Sequence, residues 1–507
     1  MKKLCLVMSV LLIIACFSGC KGGGKSIIKR EYDFSSTPIK TGVKDGFSYI
    51  LYEDHSELIA YENATTAGEI AIPFEFEGKS VAVLGAEVFM GNDYIKSITI
   101  PDTVVSIGNY AFFRCSNLEK VVIPTSVERI GCDAFASTAW FNALDKEFEI
   151  VGNGVLIKYN GDDETVALPK SVKYISSAFK DNAIVSDIMF HSEVTGVSDN
   201  AFYGCGSIVE DILPDDFKNI GIYAFHNTGW HLSSEDEFLI AGDNVLIEWT
   251  GSDENVIVPE GVKSIAGAFY QKSSIKSVIL PKSLQSISQN AFLNCTELES
   301  VEFLSEQTTL GVGAFSGCAK LKNVVLPSKL KAIPDNLFYA AKKLQSITIP
   351  ETVTNIGSAA FFGCISLESV ELPESVNVIG DQAFFGCEKM VSAKMPKEIS
   401  FMGIAVFGCC YKLSSVTLPE NLTVIPEATF SYCVGLGKIT LSENIKTVSK
   451  FSFEKCEKLN VIVKGKETSF EIKSFSEMGK GVKFSCLKGS KAETFAKESK
   501  IECLYLD

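Results

Sequence analysis

The sequence predicts a repeat solenoid. About sixteen coils of 23 residues stack with a parallel β-sheet on one face, two inserted β-hairpins and a cap at each end. Three observations lead there. An Ala-Phe beat recurs every 23 residues: Phe89, Phe112 and Phe135, then Phe179, Phe202 and Phe225. It runs on from Phe269 through Phe292, Phe315, Phe338, Phe361, Phe384, Phe407, Phe430 and Phe453, and Phe475 follows after 22. The same strand-and-turn pattern surrounds each beat. Twice, between Pro124 and Pro169 and between Pro214 and Pro259, the interval lengthens to 45 residues. One unit of 23 residues cannot bury its apolar face alone, so the units must stack.

Composition bounds the function. The chain has 507 residues, 46% apolar and 21% charged, an ordinary globular balance. Sixty-two acids against 47 bases give a net charge of −15, which argues against a nucleic-acid partner. Four histidines, His55, His191, His226 and His231, leave little for imidazole catalysis. There is no G-x-S-x-G and no H-E-x-x-H. No enzyme, no cofactor and no metal is expected.

The elements follow in order. Lys2 and Lys3 precede an apolar run over residues 4–17 that ends at Ser18-Gly19-Cys20. A basic start, a short apolar stretch and small residues form a secretory signal, and the run is short for a membrane span. The cysteine after Ser-Gly resembles the lipobox of bacterial lipoproteins. That resemblance implies that residues 1–20 are a lipoprotein signal, with Cys20 the lipid-modified first residue of the mature protein. Residues 21–45, opening with Lys21-Gly-Gly-Gly-Lys25, read as a flexible tether. Residues 46–88 read as an N-terminal β cap, a worn copy of the later insertions. Residues 89–459 are the solenoid. Its insertions, about 138–166 and 228–256, match at an offset of 90: Trp140 and Trp230, Phe148 and Phe238, Gly152 and Gly242. Each reads as a strand, a glycine turn and a second strand, for example 147–151, Gly152-Asn153-Gly154 and 155–159. Residues 460–507 form the C-terminal cap. There Ser490 and Glu493 make a capping box that opens a short helix, Lys491–Glu498, and residues 501–506 form a last strand.

Within one unit each position has a reading. Val121 and Ile123 point inward and Val122 outward, because strand side chains alternate. Pro124 stops the strand. Val127 and Ile130 re-enter the core, and Gly131 is expected to permit a tight bend. Ala134 is small where coils approach, and Phe135 fills the centre.

The pattern L-x-x-V-x-L-P-x-x-V-x-x-I-G-x-x-A-F-x-x-C resembles the BspA-like (Treponema pallidum-type) leucine-rich repeat family over roughly residues 46–507. The resemblance implies a curved, right-handed leucine-rich-repeat superhelix, and similar proteins are associated with adhesion to host or neighbouring-cell proteins. Departures from the pattern, Asp211 in an inward slot, Leu304 for the strand-ending Pro, Pro334 and Pro426 for Gly and Leu337 for Ala, are expected to be local irregularities.

Nine cysteines, Cys115, Cys205, Cys295, Cys318, Cys364, Cys387, Cys410, Cys433 and Cys456, sit three after the register Phe. They read as a buried ladder of thiols, since equivalent side chains point in parallel and a bridge needs a twist. Cys132, Cys409, Cys486 and Cys503 show no metal-ligand spacing. His226 and His231 flank Trp230, but the first insertion has Ala136 and Phe141 at those places, so they are not expected to form a metal site. The acids Asp162-Asp163-Glu164 and Asp253-Glu254 read as solvated turns.

Function is therefore expected on the surface of the stack. The candidate partner-contact face comprises Ser97, Thr99, Lys120, Val122, Ser277, Ser300, Glu302, Ser346, Thr348, Ser369, Glu371, Ser392, Lys394, Ser415 and Thr417. Asn323, Val325, Ile279, Lys438 and Thr440 continue these two rows. Candidate aromatic contacts in the insertions are Trp140, Tyr159, Trp230 and Trp249. The expected role is an exported, lipid-anchored cell-surface protein that binds a protein ligand and reaches the membrane through its acyl chains. The alternatives are a non-catalytic envelope scaffold and a surface hydrolase with a site in the insertions.

Overall fold

The computed structural model describes residues 40–52, 54–61 and 68–506. The proposed signal sequence, Cys20 and the first part of the tether lie outside the described residues, and the end of the expected tether, Lys40–Lys44, is instead a strand antiparallel to Phe47–Leu51. The chain is a parallel-stranded β-solenoid. It divides into two units, one reaching to Gly251 and including Gly261–Phe269, the other made of Ser252–Glu260 and Tyr270–Asp507.

In the first unit, Gly68–Ala71, Ile95–Thr99 and Lys120–Val122 pair in parallel along one face. A second ladder, not expected from the sequence, runs through Lys79–Leu84, Ser106–Ile107 and Arg129–Ile130. Its strands are only two residues long after the first. They form at Val127–Ile130 and its equivalents, where the apolar pair three apart turns the chain back into the core. The second unit repeats both ladders, for example Ser277–Leu280 against Ser300–Phe303 and Asn355–Ile356 against Val378–Ile379.

The register phenylalanines fill the interior in file. Phe89 stacks on Phe112 at 4.9 Å and Phe112 on Phe135 at 5.0 Å. In the second unit Phe361, Phe384 and Phe407 follow at 5.2 and 5.7 Å, each 0% exposed. The ring reaches the axis because the backbone reverses on both sides of it. Gln382 and Gly386, two before and two after Phe384, have φ of 55° and 71°. Ala405 and Cys409 do the same around Phe407. Cys409 thus occupies a slot that glycine fills in neighbouring coils, which explains a cysteine outside the ladder.

The ladder thiols have a specific task. Cys115 donates its S–H to the carbonyl of Phe89 at 3.0 Å, Cys205 to Phe179 at 2.9 Å, and Cys410 to Phe384 at 3.2 Å. Each reaches one coil back and satisfies a carbonyl turned inward beside the stacked ring. They are unbridged and buried, and burial pushes the Cys410 thiol up to about 12.

Gly131 works differently from the expected bend. Its φ is not positive, and a Cβ there would stand 2.5 Å from the backbone N of Asn109 in the preceding coil. Gly380 meets Ser358 N at the same distance. The residue is glycine because two coils touch.

The hairpins form as expected, with Phe148–Val151 antiparallel to Val155–Tyr159 and Phe238–Ala241 antiparallel to Val245–Trp249. Phe148 faces Tyr159, Phe238 faces Trp249, and a bulge follows the second residue of each first strand. In the N-terminal cap Phe47 faces Tyr61 with a bulge after Ser48, the same device. Val155–Tyr159 then pairs in parallel with Tyr174–Ile175, so the insertion restarts the second ladder and acts as a turn of its own. For this reason the turns number about 19 rather than sixteen. Each insertion also carries a short helix that was not expected, Ala139–Asn142 and Gly229–Ser233. The side chains of Thr138 and Thr228 cap them by accepting from Phe141 N and His231 N.

Asp211 breaks its strand as expected. It turns from the core to accept from Leu213 N at 2.9 Å and Gly242 N at 3.2 Å. At the far end Lys491–Glu498 is the expected helix, with Ser490 accepting from Glu493 N at 3.2 Å. Phe495 covers Phe470 at 4.8 Å. Glu502–Tyr505 closes the sheet against Lys483–Cys486.

Candidate functional site

In-register parallel pairing makes the outward strand positions into rows. Ser277 stands beside Ser300 and Ser300 beside Asn323, while Ile279 stands beside Glu302. Ser369, Ser392 and Ser415 form one row, and Glu371, Lys394 and Thr417 form the next. In the first unit Ser97 pairs with Lys120 and Thr99 with Val122. Thr99, Lys120, Ser300, Glu302, Ser369, Glu371, Lys394, Ser415 and Thr417 are exposed, as are Asn323, Lys438 and Thr440. Ser97, Ser277 and Ser392 are half-buried. Val122 and Val325 are 44% and 80% exposed, so the rows carry apolar points among hydroxyls. Ser346 and Thr348 are exposed but lie outside any strand, in a gap between Asn323–Val324 and Ser369–Glu371.

The charges on these rows compensate one another across coils. Glu254 meets Lys276 at 2.7 Å and Glu299 meets Lys322 at 2.7 Å. Lys394 is bonded to Glu371. The Lys322 ammonium holds the Glu299 carboxyl below its ordinary range. Pairs this exposed contribute little stability, because water and salt screen them. They do leave a long chain of net negative charge with locally neutral rows. The outer ladder opens between Ser415–Thr417 and Lys438–Leu441, which do not pair among the described residues. A shallow groove of about 440 Å³ lies there, lined by Thr417, Lys438, Thr440, Ser442 and Lys464.

The aromatic contacts expected in the insertions are core residues instead. Tyr159 is 7% exposed and Trp249 is 1% exposed. Tyr159 stacks at 5.2 Å on Phe179, and Trp249 lies 5.9 Å from Phe269. Trp140 and Trp230 are half-buried, edge-on to Phe135 at 5.0 Å and Phe225 at 5.5 Å. Each insertion ends one run of stacked rings with a tryptophan and begins the next with a tyrosine or tryptophan. That is why large aromatics stand there, and it buries Tyr159 and Trp249 while Trp140 and Trp230 stay half-buried.

The insertions differ at their outer corner. In the second, the ring centroids of His226 and His231 lie 4.5 Å apart. Glu248, on the second hairpin strand, places Oε2 3.2 Å from Nδ1 of His226. One ligand atom from each of the three falls within 4.8 Å of the others. The sequence reading had the two histidines and missed the glutamate. The signal was the offset of 90, which sets Glu248 against Lys158. The acidic turns are solvated as expected, with Asp162, Asp163 and Asp253 exposed, while Glu254 is engaged by Lys276.

A stack of 23-residue coils with a central phenylalanine file and an exposed row-forming strand defines a leucine-rich-repeat solenoid. The chain matches the family described as BspA type leucine rich repeat region (6 copies) over residues 70–155, 157–234, 247–368 and 354–480, and it belongs to that family. Among solved structures it is similar to a leucine-rich repeat protein from Bacteroides ovatus, with 19% identity, TM-score 0.36, and 94% of this chain and 100% of that chain covered. It is also similar to a leucine rich cell surface protein from Faecalibacterium prausnitzii, with 19% identity, TM-score 0.29, and 92% and 95% covered. A leucine rich repeat protein from Treponema pallidum shares 18% identity at TM-score 0.20, with 56% and 92% covered. None of the curated proteins matches the chain.

Proposed function

We propose that this chain is an exported, lipid-anchored cell-surface protein that uses its outer strand rows to hold a protein partner, in adhesion to a host or neighbouring cell. The observation that carries the reading is the register of the rows. A packing rule that fixes every inward residue leaves the outward ones unconstrained, and here they stand exposed side by side over coil after coil. Hydroxyls, paired charges and single valines such as Val325 suit a broad protein surface with apolar anchor points. The signal-like start and Cys20 support export and acylation.

The test is an unbiased pull-down of host matrix and bacterial surface proteins with the purified protein. Charge reversal at Lys120, Lys394 and Lys438 is expected to lose the ligand, while exchanging the two insertions keeps it. A ligand that follows the insertions instead refutes the row as the contact. Mass spectrometry of the mature N-terminus tests the anchor. An unmodified terminus beyond Cys20 refutes it.

A further inference from the structure

The two insertions are copies of one device, so the first serves as an internal control for the second. At the outer corner of the first stand Ala136, Phe141 and Lys158. The Lys158 ammonium packs over the Phe141 ring at 5.5 Å and donates to Leu144 O at 2.7 Å. Across the hairpin Lys158 faces Glu149. This is an ordinary amphipathic corner with a cation on an aromatic face.

The second insertion keeps the frame and changes every one of these residues. Ala136 becomes His226, Phe141 becomes His231 and Lys158 becomes Glu248. The cross-strand partner also changes, from Glu149 to Leu239. Each replacement alone would be unremarkable surface drift. Together they remove the cation, place a carboxylate where it stood and bring two imidazoles to meet it. The Glu248 side chain is only 4% exposed, and its Oε2 meets the His226 imidazole at 3.2 Å. His226 is 28% exposed and His231 half-buried, so the two imidazoles lie at the rim of the fold over a buried carboxylate.

We infer that His226, His231 and Glu248 form a binding site for a zinc-class divalent cation, with a further coordination position open to solvent. Two imidazole nitrogens and one carboxylate oxygen are a borderline-soft donor set that suits Zn²⁺, Co²⁺ or Ni²⁺ over Ca²⁺ or Mg²⁺. A tetrahedral ion at about 2.0–2.1 Å holds its ligand atoms about 3.3 Å apart. The three atoms, now within 4.8 Å of one another, close to that spacing by rotation of the two half-buried imidazoles towards the buried carboxylate. The frame that presents them is rigid. Thr228 caps the helix carrying His231 through a 3.1 Å bond from His231 N, and Glu248 sits in a strand paired on both sides. Tyr223 lies 4.7 Å from the His226 ring and limits its rotation. The cation replaces the proton that His226 Nδ1 shares with the carboxylate. If Nδ1 of His231 is the ligand atom, the 3.2 Å bond it accepts from Asn227 N is given up, and Asn227 is exposed enough for water to take its place.

The experiment titrates the purified protein with Zn²⁺ against a chromophoric chelator and with Co²⁺ by visible absorption. One equivalent of zinc per chain is expected, with intense cobalt d–d bands of a tetrahedral nitrogen-oxygen site. The triple variant H226A/H231F/E248K, which installs the residues of the first insertion, is expected to lose about 100-fold or more in affinity. Its circular dichroism should stay that of the folded solenoid, because the first insertion already folds with this trio, although the new lysine faces Leu239 where Lys158 faces Glu149. Glu248→Gln, which keeps the shape, is expected to lose at least about tenfold and covers the case in which the triple variant misfolds. Absence of a bound equivalent, equal affinity in a folded variant, or a sulfur-to-cobalt charge-transfer band that assigns the metal to Cys486 and Cys503 would each overturn the site.

Discussion

Phe384→Ala tests the phenylalanine file directly. The ring is 0% exposed and lies between Phe361 at 5.2 Å and Phe407 at 5.7 Å. Truncation removes roughly 100 Å² of apolar contact, about 2.5 kcal/mol at 25 cal/mol/Å². The walls of the hole are themselves stacked rings held by left-handed turns, so it does not collapse. A residual void of about 80 Å³ adds about 2 kcal/mol. The expected loss is therefore about 3–5 kcal/mol. The adjacent Phe385 supplies the control. It belongs to a second, outer file, stacked on Phe362 at 5.1 Å and 8% exposed. Its hole opens to water, so Phe385→Ala should cost less than half as much. The assay is urea unfolding followed by circular dichroism, with amide exchange of the flanking coils, because a solenoid can open locally. A loss below about 1 kcal/mol for Phe384→Ala, or one no larger than for Phe385→Ala, would refute the claim that the stack is the core.

The ladder thiols should be inert and the terminal pair reactive. Cys410 is buried and pushed up to about 12, so a thiol reagent at mildly alkaline pH should label it only on unfolding. Cys486 and Cys503 lie with their sulfurs 2.7 Å apart; Cys486 is buried and its thiol pushed up to about 12, so oxidised glutathione should enter at the half-buried Cys503 and slowly join the two, read as the loss of two hydrogens in the intact mass. Gly380→Ala should destabilise by about 1–3 kcal/mol in urea unfolding, because its Cβ would meet the Ser358 backbone N at 2.5 Å. Glu493 is held down to about 2 by Lys497, Gly489 N and Tyr505. A carboxyl depressed on folding stabilises above its unfolded value near 4.3 and loses that contribution as pH falls towards 2. Amide protection of residues 491–498 should drop across that window, and Glu493→Gln should remove the pH dependence.

Much of this fold was legible because its period is. Val121, Ile98 and Phe112 each contact their own equivalents one coil away, so one good unit explains all the rest. The hairpins and the helix from Ser490 were legible for a similar reason, since glycine turns and a capping box are local chemistry. What escaped were relations between coils. Nothing in one unit says that Cys115 donates to the carbonyl of Phe89, that Gly131 is small because Asn109 presses on it, or that a two-residue strand suffices when a neighbour waits in register. The helix at Ala139–Asn142 was hidden by its shortness, although Thr138 was there to cap it. The tryptophans misled in the other direction. An aromatic in an insertion looks like a contact, but an insertion that interrupts a stack needs large rings to seal both broken ends.

The same distinction locates function in this molecule. Residues that touch the next coil are fixed by packing and recur: Trp140 and Trp230, Phe148 and Phe238, Gly152 and Gly242 keep their identities because they seal, pair and turn. Residues that face outward are not fixed by the packing of the core and can change from coil to coil. On the outer rows they do so singly, Ser97 beside Lys120 in the first unit and Ser300 beside Asn323 in the second, as a broad surface permits. At the corner of the insertions they change in concert, His226, His231 and Glu248 for Ala136, Phe141 and Lys158. Independent change among exposed positions needs no explanation beyond solubility. The proposed cation site accounts for a coordinated change that places a carboxylate against two imidazoles while the hairpin and its helix are kept.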